Sequence, residues 1–144
     1  MQKYPAWLKT AAVLQFIAAL IHAATLFVSP SPGNETERQL FSLMDTYRFD
    51  FGAGFHRSMN DLVFPLSACY VLVCLLGSLL NWHLLRKKAT PGIMTGVINI
   101  NLLIFGILLV LTVMFAFLMP IIISALIFLP LLISRIMIAR AVAL

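Results

Sequence analysis

Residues Tyr47 to Asp61 read YRFDFGAGFHRSMND and gather two Arg, two Asp and one His immediately before a long apolar run. Three chemistries suit such a set. Arg57 and the first-turn amides of a helix beginning near Ser58 form a positive end that suits an anion such as a lipid phosphate. Arg48, Arg57, Ser58 and Gly54 are the candidate anion-binding residues, and the Gly52-Ala53-Gly54 backbone is free to turn tightly or approach a ligand. Alternatively, His56 or His22 acts as a base, Asp61 orients it or accepts protons, and Arg57 stabilises negative charge. The third reading is structural: Arg57 and Asp61, four residues apart, pair across a helix start, while Phe49, Phe51 and Phe55 anchor the loop at an interface.

The elements that must position this stretch are membrane helices. Of 144 residues, 62% are hydrophobic and 10% charged, where soluble domains carry roughly 25% charged residues. The chain therefore reads as one all-α integral membrane domain, a four-helix bundle. Apolar runs predict spans at about 7–28, 62–85, 93–117 and 120–138, with an outer loop over 29–61. For the first run a cleaved signal peptide is the competing reading, since Lys3 and Lys9 precede it and small residues follow His22.

The loop opens with Ser29-Pro30-Ser31-Pro32-Gly33-Asn34, which ends the first helix. Glu37 to Tyr47 then sets Leu40, Phe41, Met44 and Tyr47 at helical spacing, predicting a short amphipathic helix on the membrane face or capping the bundle. Asn34-Glu35-Thr36 fits an N-glycosylation acceptor, a short and common pattern. Ser58 followed three residues later by Asp61 has the spacing of a capping box.

Within the spans, Pro65 and Pro130 predict kinks, and Ser67, Cys74, Gly77, Ser78 and Asn81 give the second span one small or polar side. Gln15 and His22 share a face of the first span, whereas Asn101 and Thr112 share one of the third. Gly92, Gly96, Asn99 and Gly106 form a stripe that suits close contact within the bundle or between two copies of the chain, leaving a homo-oligomer open.

Charge orients the spans. Lys3, Lys9, Arg86, Lys87, Lys88, Arg135 and Arg140 fall on one side, and Arg38, Arg48 and Arg57 on the other together with all five acids. The positive-inside rule puts both termini in the cytoplasm. The formal charge of +5 is thus a topology signal, and no nucleic-acid partner is implied. His83, beside Trp82 and the basic run, reads as an interface residue.

Several function classes lack their residues. No carboxylate lies deep in a span, as proton-coupled small multidrug exporters require; paired reactive cysteines are missing, and so are the intramembrane charges of glutathione-using eicosanoid enzymes. Cys69 and Cys74 sit about 140° apart around a helix and read as inert small residues. His22 lies within the outer half of the first span, where a hydrogen bond to a neighbouring helix is the simpler account and a functional role the alternative. A Cu(I) site can be assembled from His22, His56, Met44 and Met59, but no compact ligand spacing supports it, so neither metal nor cofactor is expected.

His22, the stretch Phe51 to Gly54, Arg57-Ser58-Met59, Asp61 and Trp82 together resemble a family of small bacterial four-helix membrane proteins of unassigned function. The resemblance covers roughly the first 85 residues. It implies a bacterial inner membrane and a four-helix bundle, and brings no reaction with it. The function expected is non-catalytic binding of a phospholipid headgroup or a partner at the outer lip of the second span, with a membrane enzyme acting on a lipophilic substrate through His22, His56, Arg57 and Asp61 as the alternative.

Overall fold

The computed structural model describes residues 4–142. Its elements are α1 (Tyr4–Thr25), α2 (Glu35–Thr46), β1 (Phe49–Asp50), β2 (His56–Arg57), α3 (Met59–Arg86), α4 (Pro91–Phe115) and α5 (Leu118–Val142). Helices α1, α3, α4 and α5 are each long and apolar enough to cross a membrane. A helix satisfies its own backbone hydrogen bonds, which lipid cannot do for it. Each of these helices coincides with one predicted apolar run, its ends shifted by a few residues.

The chain divides into two compact units. The first comprises residues 1–18 and 74–144; the second is the segment Ala19–Val73. In the first unit, the segments of α1 and α3 join α4 and α5 in a helical bundle cored by Leu8, Ala11, Met94, Ile98, Phe105, Ile127, Leu131 and Ile138. Helices α4 and α5 are an antiparallel hairpin turning at Ala116 and Phe117, where the Ala116 amide donates to the Thr112 carbonyl at 2.9 Å. Their register is readable from two contacts: Asn99 meets Arg135, and Gly106 lies against Phe128, each pair being symmetric about Phe117. Pro120 sits in the first turn of α5, where a missing amide costs nothing. Pro65 and Pro130 lie inside helices that continue through them.

Helix α3 closes on a Schellman motif: the Ala89 amide donates to the Leu84 carbonyl at 3.1 Å and the Lys88 amide to Leu85 at 3.2 Å. Lys88 occupies the left-handed position, with φ +50°, that glycine fills at least cost. Lys88→Gly should therefore raise stability by about 0.5–1 kcal/mol, measured as a higher midpoint of thermal unfolding in detergent. An unchanged or lower midpoint would show that the lysine's charge outweighs its backbone strain.

The second unit holds the end of α1, α2, the two-stranded hairpin and the first half of α3. Helix α2 starts at a capping box: the Glu37 amide donates to Asn34 Oδ1 at 2.9 Å, and the Glu37 carboxylate accepts from Asn34 Nδ2 and the Gly33 amide. Asn34 therefore serves here as a helix cap. No residue of α2 is buried, and Leu40, Leu43 and Tyr47 stay exposed.

Hairpin β1–β2 was not expected from a chain read as wholly helical. It pairs Phe49 with Arg57 and Asp50 with His56, antiparallel. Its turn, Gly52-Ala53-Gly54, has φ of +78°, +51° and +80°, so two glycines flank the one residue that bears the left-handed strain. The Gly52 amide donates to Asp50 Oδ1 at 2.8 Å, an Asx turn that starts the reversal.

Candidate functional site

The polar stretch is built around Asp61. Ser58 Oγ accepts from the Asp61 amide at 3.1 Å, and Asp61 Oδ2 accepts from the Ser58 amide at 2.9 Å, a reciprocal capping box at the start of α3. Ser58 is buried, and its hydroxyl serves the helix.

Asp61 Oδ2 also accepts from Arg48 Nη1 in an ion pair. The expected Arg57–Asp61 pair is thus replaced by Arg48–Asp61. The hairpin is the physical reason: it reverses the chain between them and returns Arg48, thirteen residues away in sequence, to the first turn of α3. A second tie, from Asn60 Nδ2 to Asp45 Oδ1, joins the same turn to the last turn of α2. Both ties clasp the loop to α3.

Arg57 is turned elsewhere. Its Nη1 donates to the carbonyl of its neighbour His56 at 3.2 Å, and its guanidinium lies 5.7 Å from the Phe55 ring centroid. Phe51 and Phe55 are 59% and 57% exposed, so the tip of the hairpin displays two aromatic rings beside a cation with no carboxylate partner among the described residues. Tyr47, Phe49 and Phe51 make a further aromatic run, with ring centroids 5.0 and 6.3 Å apart. Gly54 lies in the turn, where an added Cβ would meet nothing within 4 Å.

His22 packs edge-on against Tyr70, ring centroids 4.7 Å apart, and its Nε2 is buried without a hydrogen-bond partner. Tyr70 follows Asp61 by nine residues, roughly 13 Å along the axis of α3 at 1.5 Å per residue. The histidine thus engages the apolar middle of α3 in place of the capping box. His56 is exposed on β2. No group of three or more His, Cys, Asp or Glu suited to a metal occurs among the described residues.

In the first unit, polar residues that stand apart in the sequence meet in one assembly. Asn81 Nδ2 donates to Gln15 Oε1 at 3.1 Å, Gln15 Nε2 to Asn101 Oδ1 at 3.0 Å, and Asn101 Nδ2 to the Val97 carbonyl at 3.0 Å. The result is a one-way relay of amides across α1, α3 and α4. Gln15 and Asn81 are wholly buried and Asn101 nearly so. Two hydroxyls add further ties to α1: Ser78 Oγ of α3 donates to the Ala12 carbonyl at 2.8 Å, and Ser134 Oγ of α5 to that of Tyr4 at 2.9 Å. Within an apolar bundle such bonds fix which helix faces meet, because an amide rotated toward lipid would lose its partners.

Gly77 makes the relay sterically feasible. A Cβ added there would stand 2.7 Å from Gln15 Nε2 and 3.0 Å from Asn101 Oδ1. By contrast, an added Cβ at Gly92 or Gly96 would meet nothing within 4 Å, so the expected close contact along that stripe does not involve those two glycines within the described chain. Of the stripe, Gly106 is the glycine in close contact, its would-be Cβ 3.2 Å from Phe128, and Gly77 of α3 provides a second close approach.

No protein-family model, curated protein or solved structure matches the chain.

Proposed function

We propose that this is a non-catalytic multi-pass protein of a bacterial inner membrane, with α2 and the hairpin seated in the outer headgroup layer, where Arg57 binds an anionic phospholipid headgroup. The observation that carries the reading is Arg57 itself. Asp61 is committed to Arg48 and to the Ser58 amide, so the remaining cation of the stretch stands beside two exposed aromatic rings. Aromatic rings favour the membrane–water interface, and a guanidinium at that depth meets phosphate.

The apolar face of α2 supports the same seating. It is tethered by residues 26–34 to the end of a span, and Leu40, Leu43 and Tyr47 project from it uncovered while Glu35, Arg38 and Ser42 lie on its opposite side. The charge bias of the sequence supports the orientation, with both termini cytoplasmic; Lys3, which contributes to that bias, lies outside the described residues. Membership of the four-helix bacterial family rests on His22, the Arg57-Ser58-Met59 triplet, Asp61 and Trp82.

Arg57→Ala should lower retention of phosphatidylglycerol relative to phosphatidylcholine about fivefold, as expected for roughly 1 kcal/mol per basic residue at an anionic surface. Native mass spectrometry of the purified chain in mild detergent reads this ratio directly, and wild-type selectivity in the variant would refute the proposal. Cysteine-labelling at the hairpin tip of intact cells, if it succeeded only after the inner membrane was opened, would refute the orientation.

A further inference from the structure

A second arginine lies in a different setting. Arg135 is on α5, partly buried, and its Nε donates to Asn99 Oδ1 of α4 at 2.7 Å. Asn99 thereby holds the plane of the guanidinium, and no other hydrogen bond or ion pair to Arg135 occurs among the described residues. The unit that contains it, residues 1–18 and 74–144, has no Asp or Glu at all.

A partly exposed guanidinium lying along an apolar bundle is stabilised by an anion that can reach its free N–H edge. The same unit supplies none from its own side chains, so any such anion comes from outside it. The surroundings favour an anion. Asn99 lies eight residues after Pro91, about 12 Å along α4, within reach of an arginine extending toward the headgroup layer. Lys87 and Lys88 precede the same end of α4 and add to the positive field. Gly92 and Gly96 share the Asn99 face of the helix and leave it uncovered by protein.

We infer that Arg135, positioned by Asn99, forms a binding site for a phosphodiester group at the end of the α4–α5 hairpin that lies next to the Arg86-Lys87-Lys88 turn. With Nε engaged by Asn99, the terminal Nη edge presents two parallel N–H donors, the fork that matches two phosphate oxygens. The site is separate from the Arg57 reading and does not depend on it.

The test uses the full chain in lipid nanodiscs and in mild detergent, with phosphatidylglycerol and phosphatidylcholine as competing probes and native mass spectrometry as readout. Arg135→Gln should reduce selectivity for phosphatidylglycerol about fivefold. Arg135→Lys should fall between, because lysine keeps the charge without the fork, and Asn99→Leu should give a smaller loss, because the charge remains and only its positioning goes. Arg140→Gln should leave selectivity unchanged. Wild-type selectivity in Arg135→Gln would overturn the site. An equal loss in Arg140→Gln would also overturn it, as that is the mark of diffuse attraction to a basic surface. Displacement of bound lipid by millimolar inorganic phosphate would assign the site to a free phosphate ester and overturn the lipid source. Should Arg135→Gln unfold, Asn99→Leu decides the question, with helical content by circular dichroism as the folding control. Losses from Arg57→Ala and Arg135→Gln should combine independently, so failure of either leaves the other standing.

Discussion

Gly77→Val should be the most damaging single substitution outside the apolar core, destabilising the bundle by about 3 kcal/mol. Its first added carbon would stand 2.7 Å from Gln15 Nε2, 3.0 Å from Asn101 Oδ1 and 3.1 Å from Gln15 Cδ. Gln15 is fully buried and bonded at both ends of its amide, so it has nowhere to retreat without releasing Asn81 or Asn101. Overpacking costs about 1–3 kcal/mol, and each interhelical hydrogen bond lost in a membrane adds about 0.6 kcal/mol. The measurement is an unfolding titration in mixed micelles, comparing Gly77→Val, Gln15→Ala and the double variant. Because a shortened residue 15 makes room for the valine, the double variant should lose less than the two single losses combined, by about 1–2 kcal/mol. Additive losses would mean that the two side chains do not share the space, and a Gly77→Val change below about 0.5 kcal/mol would refute the steric role outright.

Asp61→Ala should produce the second largest effect, local to the loop. The change removes the acceptor of the Ser58 amide and the partner of Arg48 together. The Ser58 hydroxyl still accepts from the residue 61 amide in this variant, so of the capping box only the return bond is lost. The ion pair adds less than its contact suggests, because the two side chains remain 53% and 41% exposed and water screens them. The combined local loss should open the hairpin and fray the first turn of α3. Trypsin then reports the change, since Arg48 and Arg57 bracket the hairpin: cleavage at both should accelerate roughly tenfold for 1.4 kcal/mol, with global unfolding little altered. Asp61→Asn keeps an acceptor for the Ser58 amide and loses the charge, so it should lie between wild type and Asp61→Ala. Unchanged cleavage in Asp61→Ala would show that the Asn60–Asp45 tie alone holds the loop.

The residues differ in how far each could be read in advance. Ser58 and Asp61 were legible as a capping box because both partners lie within one turn and the spacing alone specifies the bond. Asn34 and Glu37 have the same three-residue spacing and a related arrangement, in which the Glu37 carboxylate accepts from the Asn34 side-chain amide and the Gly33 amide; the sequence Asn34-Glu35-Thr36 fits a glycosylation acceptor equally well, so spacing alone does not single out the cap. Arg48 was not legible as the partner of Asp61. Arg57 is nearer in sequence, and only a reversal at Gly52-Ala53-Gly54, with strands of two residues each, brings Arg48 in instead.

Four long apolar helices, a break between the first two and the sites of the helix ends are properties of local composition. In lipid a backbone can satisfy itself only by coiling, so hydropathy and capping residues dictate these without reference to any neighbour. Which faces then meet is a different matter. Gln15, Asn81 and Asn101 each stood out as a polar residue in an apolar run, but one helix's polar stripe carries no information about which other helix supplies its partner. The contact at Gly77 arises only when helices distant in the chain are packed side by side, and the Arg135–Asn99 bond only when the α4–α5 hairpin closes in its observed register. A buried amide must find its bond in three dimensions, and the nearest candidate along the chain is seldom the nearest in space.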